Sequence, residues 1–137
     1  MRHTLATVDE VVIVAEPDLA SLRNAKNLAD TIRALRPTEK APCLVLNKVG
    51  MPRRPEISPG EFSSSVDCPL LGQIPFDAAL FGTAANNGQM IAEIAANNKI
   101  NDVYRAIGMH VMGRQATHAG SKSSSLMRLP SFLKKRA

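Results

Sequence analysis

The chain has 137 residues, 45 % of them apolar and 21 % charged, with a formal net charge of +5. That is enough for one globular domain with a modest core, and too apolar for an unfolded polymer. The low aromatic content of 4 %, with no Trp, argues against stacking platforms for single-stranded nucleic acid; no apolar run nears the roughly 20 residues of a membrane span, and the opening MRHTLATVDE lacks the apolar centre of a signal peptide.

Arg2–Thr7 reads as the end of a helix. Glu10–Glu16, EVVIVAE, is a continuous apolar run rich in β-branched residues, the pattern of a parallel strand covered on both faces. It stops at Pro17-Asp18, and Asp18 is a good N-cap for the next element. Over Asp18–Arg36 the residues Leu22, Ala25, Leu28, Ala29, Ile32 and Leu35 recur at three- and four-residue steps, which predicts a helix with one apolar stripe turned to a core. Arg33 and Arg36 suit its carboxyl end, and Pro37 forbids continuation. Ala41–Gly50, APCLVLNKVG, holds a second buried strand at Cys43–Leu46 that ends on Asn47-Lys48. Strand, helix and strand within some forty residues make a βαβ unit, whose right-handed crossover requires parallel strands.

Gly50–Pro55 is a loop with two adjacent arginines, Arg53 and Arg54. Ser58-Pro59-Gly60-Glu61 has capping-box spacing with Pro at the first helical position, although Gly60 and Ser63–Ser65 limit that helix to a turn or two. Pro69–Ile74 is a third short strand, weakened by Gly72. Asp77 caps a helix reaching Ala85, and helices over Met90–Ala96 and Asn101–Met112 follow, the last with Val103, Ile107 and Val111 on one stripe beside Tyr104. Cys43 and Cys68 are too far apart for a redox or metal motif and suit a reducing cytoplasm. His3, His110 and His118 are scattered, so no metal cluster is expected. From Gly113 the chain turns Ser- and Gly-rich, a flexible linker. From Arg114 onward six basic residues occur and no acid, whereas the rest carries eleven basic against twelve acidic residues, a net of −1. Leu126, Met127, Leu129, Phe132 and Leu133, followed by Lys134, Lys135 and Arg136, have the make-up of a membrane-surface segment interrupted by Pro130. A solvated tail fits the same composition.

Parallel strands bring their carboxyl ends to one rim, where open α/β sheets bind ligands. Asp18, Asn47 and Asp77 stand at three such ends, with Lys48 next to Asn47. An Asn carries both a donor and an acceptor and can pair with a purine edge. The Pro75-Phe76-Asp77 turn can lay backbone and an apolar side chain against a flat base. Asn47 taken alone reads more readily as a turn residue than as a ligand contact.

The ordered segments EVVIVAEPDLASLRNAKNL, LVLNKVG and IPFDAALFGTAANNGQMIAE resemble the carboxyl-terminal half of MinD/ParA-type P-loop ATPases. More narrowly they resemble the CpaE/TadZ family, which takes part in assembling and localising Flp/Tad pili. The resemblance covers roughly residues 3–112. It implies that Asn47, Pro75 and Asp77, with Phe76 in the same turn, line the adenine side of an ATP site. It also implies a carboxyl-terminal amphipathic segment that touches anionic membrane. One departure is decisive for chemistry: none of the eight glycines opens a P-loop of the Gly-x4-Gly-Lys-Ser/Thr form. Gly120-Ser121-Lys122-Ser123 lacks the leading glycine, since Ala116 stands there, and it follows no strand. The LNKVG stretch also differs from a guanine-binding NKxD box, because Gly50 occupies the Asp position. On this resemblance the amino-terminal half of the domain, with the phosphate and Mg²⁺ ligands, would precede Met1.

These readings set the expectations. The fold is α/β, three-layered, a mostly parallel sheet of about three strands with flanking helices, a partial P-loop NTPase fold of MinD/ParA type over residues 1–113 with a flexible basic tail at 114–137. The function is a pilus assembly and localisation factor. The rivals are a fragment of a working ATPase and a ParA-like nucleic-acid-associated protein; nucleic acid is the less favoured partner. ATP is held weakly or only together with the missing half, Mg²⁺ is not bound by this chain alone, and no catalytic residue is assigned. The partners are the pilus machinery, a second copy, and anionic membrane through Leu126, Leu129, Phe132, Leu133, Lys134, Lys135 and Arg136. The location is the cytoplasm and the inner-membrane surface. A sheet without its amino-terminal neighbours leaves a bare apolar edge, which predicts marginal stability or self-association.

Overall fold

The two apolar runs become the first two strands of a parallel sheet in the computed structural model, which describes residues 2–113. In chain order the elements are α1 (Arg2–Thr7), β1 (Val12–Ala15), α2 (Leu19–Leu35), β2 (Cys43–Val49), α3 (Pro59–Val66), β3 (Leu70–Pro75), α4 (Ala78–Asn87), α5 (Ile91–Ile94) and α6 (Ile100–Val111). The sheet order is β1-β2-β3, and both pairings are parallel. β1 runs in register from Val12 opposite Cys43 to Ala15 opposite Leu46. The central strand is buried from Cys43 through Leu46, as a parallel strand covered on both faces must be.

Two apolar layers sandwich the sheet. On one face α2 and α3 supply Ala25, Ala29, Ile32, Phe62 and Val66 against Ile13, Leu44 and Leu46. On the other, Ile100, Val103 and Ile107 of α6 and Leu80 and Phe81 of α4 pack on Val45, Leu71 and Ile74. The expected α/β/α arrangement with a three-stranded parallel sheet is therefore the observed one.

The helix starts follow the cap chemistry. The Asp18 carboxylate accepts the Ser21 N–H at 2.7 Å, Ser58 and Glu61 form the reciprocal capping box, and the Asp77 carboxylate accepts the Leu80 N–H at 2.9 Å. Each satisfies amide donors that a helix terminus would otherwise leave unpaired.

Gly72 has a packing reason. A Cβ at this position would lie 3.0 Å from Val103 Cγ1 and 3.6 Å from Ile107 Cδ1, so the missing side chain lets α6 approach β3. Replacing Gly72 by Val should overpack this contact and cost about 1–3 kcal/mol. A denaturant midpoint equal to that of the parent would contradict this packing.

Several expectations are corrected. β1 is four residues long, the stretch that pairs with Cys43–Leu46, and the glutamates at the ends of the apolar run, Glu10 and Glu16, form ion pairs with Lys40, Lys48 and Arg54. β2 does not stop at Asn47-Lys48 but continues to Val49, which lies opposite Pro75, with a register shift between Leu46 and Val49. α4 continues past Ala85 to Asn87 and ends on Gly88 at φ 63°, a left-handed cap that glycine adopts freely. The helix expected over Met90–Ala96 is the single turn Ile91–Ile94, since Asn101 Nδ2 takes the Ala95 and Ala96 carbonyls. Leu28 and Val111, which the periodicity puts on core stripes, are both exposed: Leu28 lies along the open side of β1, and Val111 at the last turn of α6.

Candidate functional site

The carboxyl ends of β2 and β3 open into a cleft of about 250 Å³ lined by Asn47, Lys48, Pro75, Phe76, Asp77, Ala78, Phe81 and Tyr104. The strands bring the first five together because they are parallel and adjacent, and the Phe76 N–H donates to the Val49 carbonyl at 2.8 Å, fixing the turn to the end of β2. Lys48 sits in the irregular stretch of β2 at φ 54°. A left-handed backbone in a bulky residue, next to a bulge, is a device that re-aims side chains at strand ends. The Asn47 side-chain oxygen accepts the Lys48 N–H at 2.9 Å. Its Nδ2 amide has no partner among the described residues, which leaves a donor available at the cleft.

Asp77 lines the same cleft, but its carboxylate is committed to the first turn of α4. Asp18 lies at the end of β1 and is not part of the cleft. Its carboxylate caps α2, and the amide of Ser21 holds its pKa below the usual range. The tail residues Leu126, Leu129, Phe132, Leu133, Lys134, Lys135 and Arg136 lie outside the described residues.

Tyr104, which the periodicity sets beside the core stripe of α6, completes the wall of the cleft. Val103 packs on Gly72, and one helical step further Tyr104 turns to α4 beside Phe81. A second cavity of about 530 Å³ opens on the far side of these two rings, between α4, α5 and α6, with Met90, Ile91, Asn101 and Arg105 in its walls.

A charge network missed by the sequence reading stiffens the rim. Glu16, at the end of β1, pairs with Lys48 at 2.6 Å and with Arg54. Arg54 also donates to the Lys48 carbonyl at 2.6 Å and to Glu56 at 2.9 Å, and Glu56 accepts the Gly50 and Met51 amides. The hydrogen bond from Lys48, with Arg54 beside it, lowers the Glu16 pKa. The Gly50 amide, then Arg54, lowers that of Glu56. Depressed carboxylate values stabilise the fold above the unfolded value of about 4.3. That stability is lost as the pH falls through the lower folded values. Replacing Arg54 by Met should therefore lower the urea midpoint at neutral pH, and the gap from the parent should narrow as the pH falls through the lowered folded values of the two glutamates. An unchanged gap would show that Arg54 acts through packing alone.

At the amino-terminal end of β2, away from the cleft, Cys43 Sγ lies 3.2 Å from His110 Nε2, and His110 lies 3.8 Å from Glu10. Burial pushes the Cys43 thiol pKa up, so this cysteine is a poor nucleophile. Among the described residues no group of three or more His, Cys, Asp or Glu side chains is arranged to hold a metal ion, and no helix is long and apolar enough to cross a membrane.

No protein-family model matches the sequence, and neither does any curated protein. Solved structures do match the fold. A ParA family ATPase from Chlorobium tepidum aligns with a TM-score of 0.57 at 26 % identity, over 75 % of this chain and 42 % of its own. The cell division ATPase MinD of Pyrococcus furiosus aligns with a TM-score of 0.62 at 20 % identity, over 77 % and 43 %. The chain has a ParA/MinD-like fold. It spans less than half the length of either ATPase. The cleft lies at the carboxyl ends of the second and third strands of that sheet.

Proposed function

We propose that this chain contributes the base-recognising part of an adenine-nucleotide site, in a protein that assembles or positions cellular machinery in the manner of the CpaE/TadZ pilus factors. The carrying observation is the cleft that gathers Asn47, Lys48 and Pro75–Asp77 at the strand ends, with Tyr104 and Phe81 as apolar walls. Its volume lies just under the roughly 300–1,000 Å³ of pockets that enclose drug-sized ligands, which suits one ring system better than a whole nucleotide. A base there would rest on aromatic and proline surface and receive a hydrogen bond from Asn47 Nδ2. The resemblance of LVLNKVG and IPFDAALFGTAANNGQMIAE supports the pilus reading and the role of these residues. The basic tail supplies a contact with anionic membrane or with the assembly machinery. A nucleic-acid role is supported only by Arg53, Arg54 and the tail, and the structure draws Arg54 into ion pairs with Glu16 and Glu56.

Magnitudes bound what the cleft can do by itself. Stacking contributes about 1–3 kcal/mol per base and one hydrogen bond about 0.5–1.5 kcal/mol. A dissociation constant of 1 mM corresponds to about 4.1 kcal/mol, so base contacts alone give affinity near or weaker than millimolar. Phosphate and Mg²⁺ contacts carry phosphoryl transfer, and this sequence holds no P-loop. Adenosine, AMP and Mg-ATP should therefore bind the 137-residue chain with similar weak affinities, Asn47→Ala should weaken all three, and ATP should not turn over. Titration by NMR, reading the Tyr104 ring and the Asn47 side-chain amide, checks this. Mg-ATP binding more than tenfold tighter than adenosine, or metal-dependent hydrolysis, would refute the proposal.

A further inference from the structure

Among the described residues Arg36 is the one charged residue that is buried, with 5 % of its surface exposed. Its Nη2 donates to the Asp9 carbonyl at 3.2 Å. Nε and Nη1, also buried, have no hydrogen-bond partner among the described residues, which leaves one N–H on Nε and two on Nη1 unmet. Unmet donors on a buried cation are costly, because the group has lost water and gained no counter-charge. The acid paired with Arg36 is Glu39, 3.7 Å away and itself exposed, a separation beyond a hydrogen bond. The neighbouring cations are better matched, Arg33 with Asp30 at 3.0 Å and Lys40 with Glu10 at 2.5 Å. Arg36 lines a cavity of about 200 Å³ with Ile32, Arg33, Glu39, Lys40 and Pro42. One continuous stretch, residues 32–42, builds it between the last turn of α2 and the residue before β2. It therefore lies at the amino ends of the strands, away from the base cleft.

We infer that this cavity is a site for a small oxyanion, a phosphate or a carboxylate, with the Arg36 guanidinium as its counter-charge. Guanidinium N–H groups match the oxygens of both anions in spacing and charge. Three of the lining side chains, Arg33, Arg36 and Lys40, are cationic and one, Glu39, is acidic. The volume is below the roughly 300–1,000 Å³ of pockets for drug-sized ligands, and far above the roughly 10–15 Å³ that one water needs. That suits a small anion and excludes a nucleotide. Because Nε and Nη1 are closed to solvent, an anion reaches them with a small shift of the loop at residues 37–42, in which Glu39 turns out to water. Glu39 is thus the competitor of the anion for the same guanidinium.

The test is NMR titration of the isotope-labelled full chain with sodium phosphate, and separately with sodium acetate, against sodium chloride at equal ionic strength. The Arg36 Nε–H resonance reports on the guanidinium directly. It should shift and saturate with phosphate or acetate, and the anion that saturates it at the lower concentration is the favoured class. Glu39→Gln removes the competitor and should tighten binding about two- to fivefold, the factor that an exposed ion pair contributes. Arg36→Met should abolish the saturable shifts of the backbone amides in the 37–42 loop. Phosphate stabilises folded proteins generally by exclusion from their surface, so a rise in urea midpoint counts only where the parent shows it and Arg36→Met does not. A linear drift of the Nε–H signal that chloride reproduces would overturn the inference and leave the cavity to water. So would saturable binding retained in Arg36→Met, or unchanged affinity in Glu39→Gln. A saturable shift of the Asn47 side-chain amide without one at Arg36 would place the anion at the base cleft and likewise overturn it. Glu39 is exposed, so its variant decides the matter even where Arg36→Met fails to fold.

Discussion

Replacing Phe62 by Ala is expected to cost about 3–5 kcal/mol of stability, the range for deleting a buried ring and leaving a cavity. Phe62 is fully buried among Ile32, Leu44, Leu46 and Val66. It is also the main anchor of α3, whose Gly60 and three serines supply little intrinsic helix stability. Domains of this size are stable by only about 5–15 kcal/mol, so the variant should sit near its unfolding threshold. With a urea slope of about 1–3 kcal/mol per molar, its midpoint should fall by roughly 2 M, and amide exchange across Pro59–Val66 should accelerate first. A shift below 1 kcal/mol would mean that α3 is not seated on the sheet as described.

Replacing Ile100 by Ala is expected to cost about 2–5 kcal/mol and to damage the cleft as well. Ile100 is 2 % exposed and packs with Val45 and Ile74 on the other face of the sheet. It opens α6, the helix that carries Tyr104 into the cleft wall. Any loosening of α6 moves that wall, so base binding should weaken along with stability. Phe62→Ala acts on the α2–α3 face and should leave the affinity of the folded fraction unchanged. Measuring denaturant midpoint and adenosine affinity on both variants separates the two faces. Equal loss of affinity in both would deny α6 its special place beside the site.

Much of the lining of the cleft is legible in the sequence because local chemistry and strand direction suffice for it. Asn47, Lys48 and Pro75–Asp77 stand at strand ends, and parallel strands must carry their ends to one rim. Asp18 shares that rim, but the cleft lies between the second and third strands, and adjacency between strands is not written in a single run of residues. Tyr104 was missed because its step round α6 matters only once Gly72 has set how closely that helix lies on β3. The Glu16–Lys48–Arg54–Glu56 network and the Cys43–His110 contact were missed for a related reason. Each joins residues far apart in the chain, and no periodicity marks which distant charges or rings will meet. The extents of β2 and α5 were misjudged where longer-range bonds prevailed: pairing of Val49 with Pro75 extended one, and the Asn101 side chain cut the other short.

The sequence by itself determined the order of elements, their caps and the buried identity of the central strand, because apolar periodicity, Asp and Ser caps and Pro stops act within a few residues. It also determined that no P-loop is present in these 137 residues. The tertiary structure alone decided which side chains share the cleft and which charges neutralise one another. Those are consequences of how helices settle on a twisted sheet. Distances across the sheet depend on every packed side chain between, so they appear only once the whole domain is assembled.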